Sequence, residues 1–278
     1  MDFSELHVAG ISGGKDSTLL YCLLFEFYGS NFLPIFADTG NEHPVTLNYV
    51  RNMHHFLPGA PEVVFVQMDF APRLRKKGLE PTGDRFLDMC LFKKVFPSRV
   101  KQFCTEWLKL RPMRDYLQEN YPDRTWINYT GMRSQESEKR ARTRKVYEWN
   151  SWFDCEGLNP LFYTTIETVW KELQVYGVPP NPLYSLGFSR VGCYPCIHAS
   201  KEELALFPDW AWEKIIGWEK AMNQTFFEPS MVPGHYLPNA ETVMMWAKTS
   251  RGGRQFNLFK SAPVADAPAC LSTWAVCE

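Results

Sequence analysis

Six residues, Ser12-Gly13-Gly14-Lys15-Asp16-Ser17, stand between an apolar run at 6–11 and a helix-like run at 18–27. This order constrains the fold more than any other feature, because it predicts a strand, a glycine-rich turn and a helix in direct succession. Gly13 and Gly14 lack a Cβ and let the backbone approach an oxyanion, while the first N–H groups of the following helix point at it. Lys15 adds a mobile cation and Ser12 and Ser17 add hydroxyl donors. Asp16 is placed to hold a loop N–H or to help seat a magnesium ion. The turn lacks the earlier glycine of a Walker A loop, which argues against an ordinary NTPase that cuts the β–γ bond.

The alternation continues through the first 70 residues, with strands read at 6–11, 32–37 and 63–68 and helices at 18–27 and 45–56. Right-handed βαβ units are expected, giving a Rossmann-like α/β fold with a parallel twisted sheet flanked by helices. The turns at Ser12 and Asp38 then lie at the carboxyl ends of neighbouring strands, where open α/β sheets bind nucleotides. Beyond a Pro- and Gly-punctuated segment, 85–100 reads as a helix and 126–131 as a fourth strand. Residues 132–145 read as a polar loop or helix start, and 169–176 as a helix stopped by Gly177 and Pro179-Pro180. Residues 199–207 and 210–223 read as helices, and the chain past Phe226 is rich in Pro and Gly. A nucleotide-binding domain is expected at 1–200, with a smaller helical and irregular cysteine-containing region at 201–278.

No apolar run among the 278 residues is long enough to cross a bilayer, and no signal peptide precedes the first strand, so a cytoplasmic protein without membrane contact is expected. Eight cysteines in such a chain point to thiols or metal ligands in place of a disulfide framework. A formal charge of -1 leaves no global bias toward nucleic acid. Residues 133–145 nevertheless carry six basic side chains against Glu136 and Glu138, so any polyanion contact is local. The aromatic share of 15% suits base stacking as well as core filling.

Cys193-Tyr194-Pro195-Cys196 is the strongest metal signal, since a C-x-x-C on a tight turn aims two sulfurs at one ion or cluster. A second thiolate pair would complete structural zinc, while cysteines from separate segments would suit an iron–sulfur cluster. A thioredoxin-like pair fits less well, because it should open a helix. Gly131 ends the strand at 126–131 and Arg133 follows it, so both reach the same sheet edge as the first turn. Arg133 is suited there to grip phosphate or sulfate. Lys139, Arg142, Arg144 and Lys145 read equally as a solvated charged segment. Asp38 and Glu42 flank the expected nucleotide, with helix capping the alternative for Glu42. Arg251-Gly252-Gly253-Arg254 is a weaker anion cradle or a plain turn, and the tail carries Cys270 and Cys277.

The 12–17 turn resembles the pyrophosphate loop of the adenine nucleotide α-hydrolase-like superfamily, in which chemistry occurs at the α-phosphate. Asp38-Thr39-Gly40-Asn41-Glu42-His43-Pro44 resembles the motif after the second strand of phosphoadenosine phosphosulfate (PAPS) reductases. Residues 104–113, 131–142 and 181–196 resemble further stretches of those enzymes and of adenylyl sulfate reductases. The resemblance spans residues 6 to about 200. It implies ATP, adenylyl sulfate or PAPS held by Ser12, Gly13, Gly14, Lys15, Asp16, Ser17, Asp38, Gly131 and Arg133, with magnesium as an accompanying ion. It implies catalytic roles for Lys15, Lys109 and Arg133, and a 4Fe-4S cluster on Cys104, Cys193 and Cys196. The departures are specific. Thr105 stands where adenylyl sulfate reductases carry a second adjacent cysteine, leaving the fourth ligand to Cys90, Cys270, Cys277, His198 or an exogenous species. Cys277 lies in the place of the reductases' attacking thiol, but without the Glu-Cys-Gly-Leu motif around it. Two activities follow as expectations: a sulfonucleotide reductase served by a thiol or sulfur donor protein, or an ATP pyrophosphatase that adenylylates an acceptor such as nucleic acid. A module that binds nucleotide or nucleic acid without catalysis is the alternative outside enzymology.

Overall fold

A computed structural model describes residues 5–250. Its sheet comprises β1 (Glu5–Ile11), β2 (Leu33–Ala37), β3 (Val64–Val66), β4 (Thr125–Tyr129), β5 (Tyr147–Asn150) and β6 (Cys155–Leu158). The strand order is β3-β2-β1-β4-β6-β5, parallel throughout except for β5, which runs antiparallel to β6 at the edge. All five residues of β2 are buried, as a parallel strand covered on both faces requires. The expected α/β class is what the chain adopts.

The helices of the first half are α1 (Lys15–Tyr28), α2 (Pro44–Arg51), α3 (Ala71–Arg75), α4 (Arg85–Lys93), α5 (Phe103–Thr105) and α6 (Arg111–Asn120). A π-helical turn, Glu106–Leu110, joins α5 to α6. The second half holds α7 (Glu138–Thr143), α8 (Ile166–Val175), α9 (Lys201–Ala205), α10 (Asp209–Met222) and α11 (Ala240–Ala247). One sheet face packs on α1 and α8 through residues such as Leu20, Leu24, Val169 and Leu173. The other packs on the end of the π-turn and on α6 through Leu110, Met113 and Leu117. A third cluster runs across residue 200, joining Phe86 and Met89 of α4 to Trp212, Trp218 and Val243 of α10 and α11.

Three local expectations change. The helix read at 85–100 stops at Lys93, because Lys94 takes a left-handed conformation (φ 61°) and closes the helix with its N–H on the carbonyls of Cys90 and Leu91. The hairpin of β5 and β6, turned at Asp154 (φ 53°), was not expected from the sequence. Helix α11 lies in the stretch read as irregular; Asn239 caps it by accepting from Thr242 N, and its apolar face joins the third cluster.

β1 is flanked by β2 on one side and β4 on the other, so the chain reverses its direction of winding between β1 and β4. The crevice outside the carboxyl ends of these two strands is where such a sheet takes ligands. Ile11 and Tyr129 end the two strands, and each leads directly into one of the segments singled out in the sequence.

Candidate functional site

The 12–17 turn is knit by its own hydroxyls. Ser12 N donates to Ser17 Oγ at 3.1 Å, Gly14 N donates to Ser12 Oγ at 3.2 Å, and the two hydroxyls stand 2.9 Å apart. Lys15 N donates to the Tyr184 hydroxyl at 2.9 Å. Gly13 has φ +82°, and a Cβ there would come within 2.8 Å of Val50 and 2.9 Å of Thr46, so both its conformation and its surroundings require glycine. Asn181 ties the turn to α2, donating to Gly13 O at 3.1 Å and to Thr46 Oγ1 at 3.3 Å.

Gly131 lies against this turn. A Cβ on it would meet the carbonyl carbon and oxygen of Asp16 at 2.9 Å and Ser17 N at 3.0 Å. The approach brings Arg133, fully buried, onto Asp16, with Nε 2.6 Å from Oδ1. Lys15 Nζ stands 3.0 Å from Asp16 Oδ2. Lys15 is therefore a buried, ion-paired lysine in place of the mobile cation expected, and Asp16 holds two cations in place of a loop N–H. Two cations and a carboxylate meet at the amino end of α1, where the helix N-terminus favours an anion.

The loop after β2 forms the adjoining wall. Asp38 accepts from Gly40 N at 2.9 Å and pairs with Arg85 Nη1 at 2.7 Å. Glu42 folds back to accept from Thr39 N, Thr39 Oγ1 and Asn41 N at 3.0, 2.6 and 3.1 Å. It does not cap α2; that role belongs to His43, whose side chain accepts from Val45 N. Lys214 of α10 reaches across to donate to Gly40 O at 3.0 Å and Asn41 Oδ1 at 3.1 Å. Burial holds the Lys214 pKa below its usual value.

Burial pushes the Glu42 pKa up to about 7, against the opposing pull of its Thr39 hydrogen bond and the Lys109 charge. The folded value thus lies above the reference of 4.5, and the stability this group contributes is full below pH 4.5 and lost as pH rises through about 7. Glu42→Gln should consequently gain stability relative to the unmodified chain across that window and level off above it, as read by urea unfolding at a series of pH values. A difference independent of pH would show that the native loop holds the carboxylate and not the acid.

The C-x-x-C segment docks on the same loop. Glu42 and Cys193 form a β-bridge, and Asn41 Nδ2 donates to Pro195 O at 2.6 Å. Cys193 and Cys196 line a narrow cavity with Cys104, Lys109, Arg190 and His198. Cys104 and Lys109 reach it from either side of the start of the π-turn, where the widened helix rotates Leu108 and Lys109 inward. Thr105 lines the cavity as well. Cys90 is fully buried in the third cluster and is absent from that lining, and burial raises its pKa. Cys270, Cys277 and the 251–254 segment fall outside the described residues.

The donor set of three sulfurs with a neighbouring imidazole matches zinc or iron–sulfur chemistry in kind. Among the described residues, no group of three or more His, Cys, Asp and Glu side chains is arranged to hold a metal ion as it stands. Sequence reasoning gave no individual role to Asn181, Tyr184 and Arg190, although the family-like stretch 181–196 contains them, and it missed Arg85 and Lys214, which act from elements distant in the chain and carry no local motif.

The family model of the phosphoadenosine phosphosulfate reductase domain matches residues 7–199. The chain belongs to the PAPS reductase family. It is 33% identical to the uncharacterized 37.8 kDa protein of the gpa 5′ region of Escherichia phage 186, over 99% of this chain and 97% of that protein. It is 36% identical to adenosine 5′-phosphosulfate reductase of Salinibacter ruber over 36% of this chain and 37% of that enzyme, so this likeness spans well under half of either. The PAPS reductase of Candida auris, solved as a phosphate complex, aligns with a TM-score of 0.44 at 18% identity, over 69% of this chain and 82% of that one. Among the described residues of this family member, no helix is long and apolar enough to cross a membrane.

Proposed function

We propose that this PAPS reductase-family chain is an enzyme of sulfur metabolism. It binds an adenine nucleotide with its phosphate or sulfate end on the 12–17 turn and acts at the α-phosphate or the sulfur bonded to it. The observation that carries this reading is the buried Lys15–Asp16–Arg133 group at the switch point of the sheet, one loop away from a cavity lined by three thiols. The turn's N–H groups rest on the hydroxyls of Ser12, Ser17 and Tyr184. A hydroxyl both donates and accepts, so these groups can turn toward an arriving oxyanion and release the N–H groups to it. Asp16 positions the two cations. Asp38, locked by Arg85, shapes the nucleotide wall.

Two reactions suit this site. With ATP, an acceptor oxygen attacks the α-phosphorus and pyrophosphate leaves, giving an adenylylated acceptor. With adenylyl sulfate or PAPS, a thiolate attacks sulfur and expels AMP or its 3′-phosphorylated form; a second thiol then reduces the S-sulfonate to sulfite as a disulfide forms. Incubation with ATP and magnesium should yield AMP and pyrophosphate in the first case, and adenylyl sulfate or PAPS with a dithiol should yield sulfite in the second. Release of ADP and phosphate as main products would overturn both. Lys15→Ala should weaken binding of the competent nucleotide about ten- to a hundredfold, for loss of one charge-assisted contact of roughly 1.5–3 kcal/mol. Unchanged calorimetric affinity would move the phosphate site elsewhere.

We further infer that Cys104, Cys193 and Cys196 hold an iron–sulfur cluster, closing around it from the arrangement described above. Such a cluster supplies a soft centre for sulfur or for electrons beside the nucleotide. Cys104→Ser, Cys193→Ser and Cys196→Ser should each lower bound iron in anaerobically prepared protein. Cys22→Ser should not, since burial on α1 pushes that thiol up to about 12, away from the cavity. Stoichiometric zinc without iron or acid-labile sulfide would replace the cluster with a structural ion.

A further inference from the structure

Around the π-turn that carries Trp107 and Lys109, cations alternate with partly buried aromatic rings across α3, α4, the π-turn, α6 and the turn between β5 and β6. Lys77 Nζ, just past α3, lies 3.9 Å from the Phe92 ring centroid, and Lys93 at the end of α4 lies 4.5 Å from that of Trp107. The Arg73 guanidinium stands 5.7 Å from the same indole. Arg111 lies 4.1 Å from Trp107 and 5.8 Å from Trp152, in the turn between β5 and β6. Arg114 follows at 5.1 Å from Trp152. Glu106 on the same segment is taken up by Arg111, whose Nε donates to Oε1 at 3.0 Å. The chain as a whole has a formal charge of -1, so this five-cation surface stands against its average.

We propose that this ladder binds single-stranded nucleic acid. A single strand presents the same alternation, planar bases between phosphates, and rings or guanidinium planes take the bases while the ammonium and guanidinium charges take the phosphates. A duplex hides its base faces and matches only the charges. An acidic protein matches the charges without using the rings. Trp107 and Phe103 alternate along the helix with Cys104, Thr105 and Lys109 of the thiol cavity, so a strand on the ladder passes within about one helical turn of the cavity lining. The inference goes beyond the nucleotide reading and stands whichever nucleotide occupies the 12–17 turn.

The test is fluorescence anisotropy of the full chain with labelled oligo-dT and oligo-U of about 20 nucleotides, a duplex of equal length, and poly-glutamate, over a range of salt. The single strands should bind most tightly, with affinity falling as salt rises. Lys77→Ala/Lys93→Ala should weaken them about tenfold and flatten the salt slope. Arg111→Lys, which keeps charge and loses the planar stack, should weaken them with the slope unchanged. Lys139→Ala/Lys145→Ala, on the other basic stretch, should leave binding within about twofold. Thermal unfolding by circular dichroism verifies that each variant is folded. The proposal is overturned by absence of binding at low salt, by equal affinity for duplex or poly-glutamate, or by a larger loss in the Lys139/Lys145 pair than in the ladder variants.

Discussion

Asp16→Ala is expected to lower the unfolding free energy by about 3–5 kcal/mol, the range for breaking a buried ion pair by removing one partner. Asp16 and Arg133 are both fully buried, with 2.6 Å between Oδ1 and Nε, and Lys15 shares the carboxylate. Without Asp16, Lys15 and Arg133 lose this shared carboxylate in a site with little solvent to screen them. The loss should be larger than that from deleting a surface ion pair such as Arg142–Glu138, where 0–1 kcal/mol is typical. Adding Arg133→Met should recover much of the stability, because the uncompensated guanidinium is then gone and a side chain of similar length fills the space. Urea unfolding of the single and double variants gives both numbers. A loss below about 1 kcal/mol in the single variant, or no recovery in the double, would show that the pair does not hold the turn together.

The second large effect is expected from one methyl group. Gly131→Ala places a Cβ within 2.9 Å of the Asp16 carbonyl and 3.0 Å of Ser17 N, and all three facing atoms are backbone. No rotamer change can relieve the contact, so the amino end of α1 and the segment after β4 must separate. Overpacking of this kind costs about 1–3 kcal/mol in stability. The functional loss should be greater. A shift of about 1 Å in a positioned group can reduce turnover on the order of a hundredfold, and here the shift falls on the turn proposed to hold the nucleotide's anionic end. Nucleotide affinity by calorimetry should fall accordingly while the far-ultraviolet circular dichroism stays native. Near-normal affinity in Gly131→Ala would mean that the bound phosphate does not contact the turn beside Asp16.

The two variants also show where the sequence was legible. The strand, turn and helix around the 12–17 turn could be read directly because each signal is local: an apolar run, paired glycines, then a Leu-rich run free of Gly and Pro from Thr18 onward. Glycine at 13 is required by a positive φ and by Thr46 and Val50, and glycine at 131 by the backbone of another segment. The first requirement is partly local; the second is visible only once β4 lies beside β1. The hairpin β5–β6 was missed because its strands are only four residues each, β5 is half-exposed, and β6 carries Glu156 and Gly157 at its centre, which weakens the periodicity that marks a strand. Helix α11 was missed for a related reason: it is short, and its stability comes from packing on α10 more than from its own propensity.

The sequence by itself determined the α/β class, the order of the first five elements, the strand–turn–helix around residues 12–17 and the placing of Cys193 and Cys196 on one turn. Each of these follows from residues adjacent in the chain, whose backbone preferences and side-chain chemistry act over a few positions. Only the tertiary structure decided which segments share a site. It turned Lys15 and Arg133 inward onto Asp16, set Glu42 to brace its own loop, brought Cys104 and Lys109 to the C-x-x-C, and enlisted Tyr184 and Lys214 from remote helices and turns. The physical reason is that sheet order and helix packing set these distances. Both arise from burying apolar faces that belong to different parts of the chain, and no local stretch contains that information.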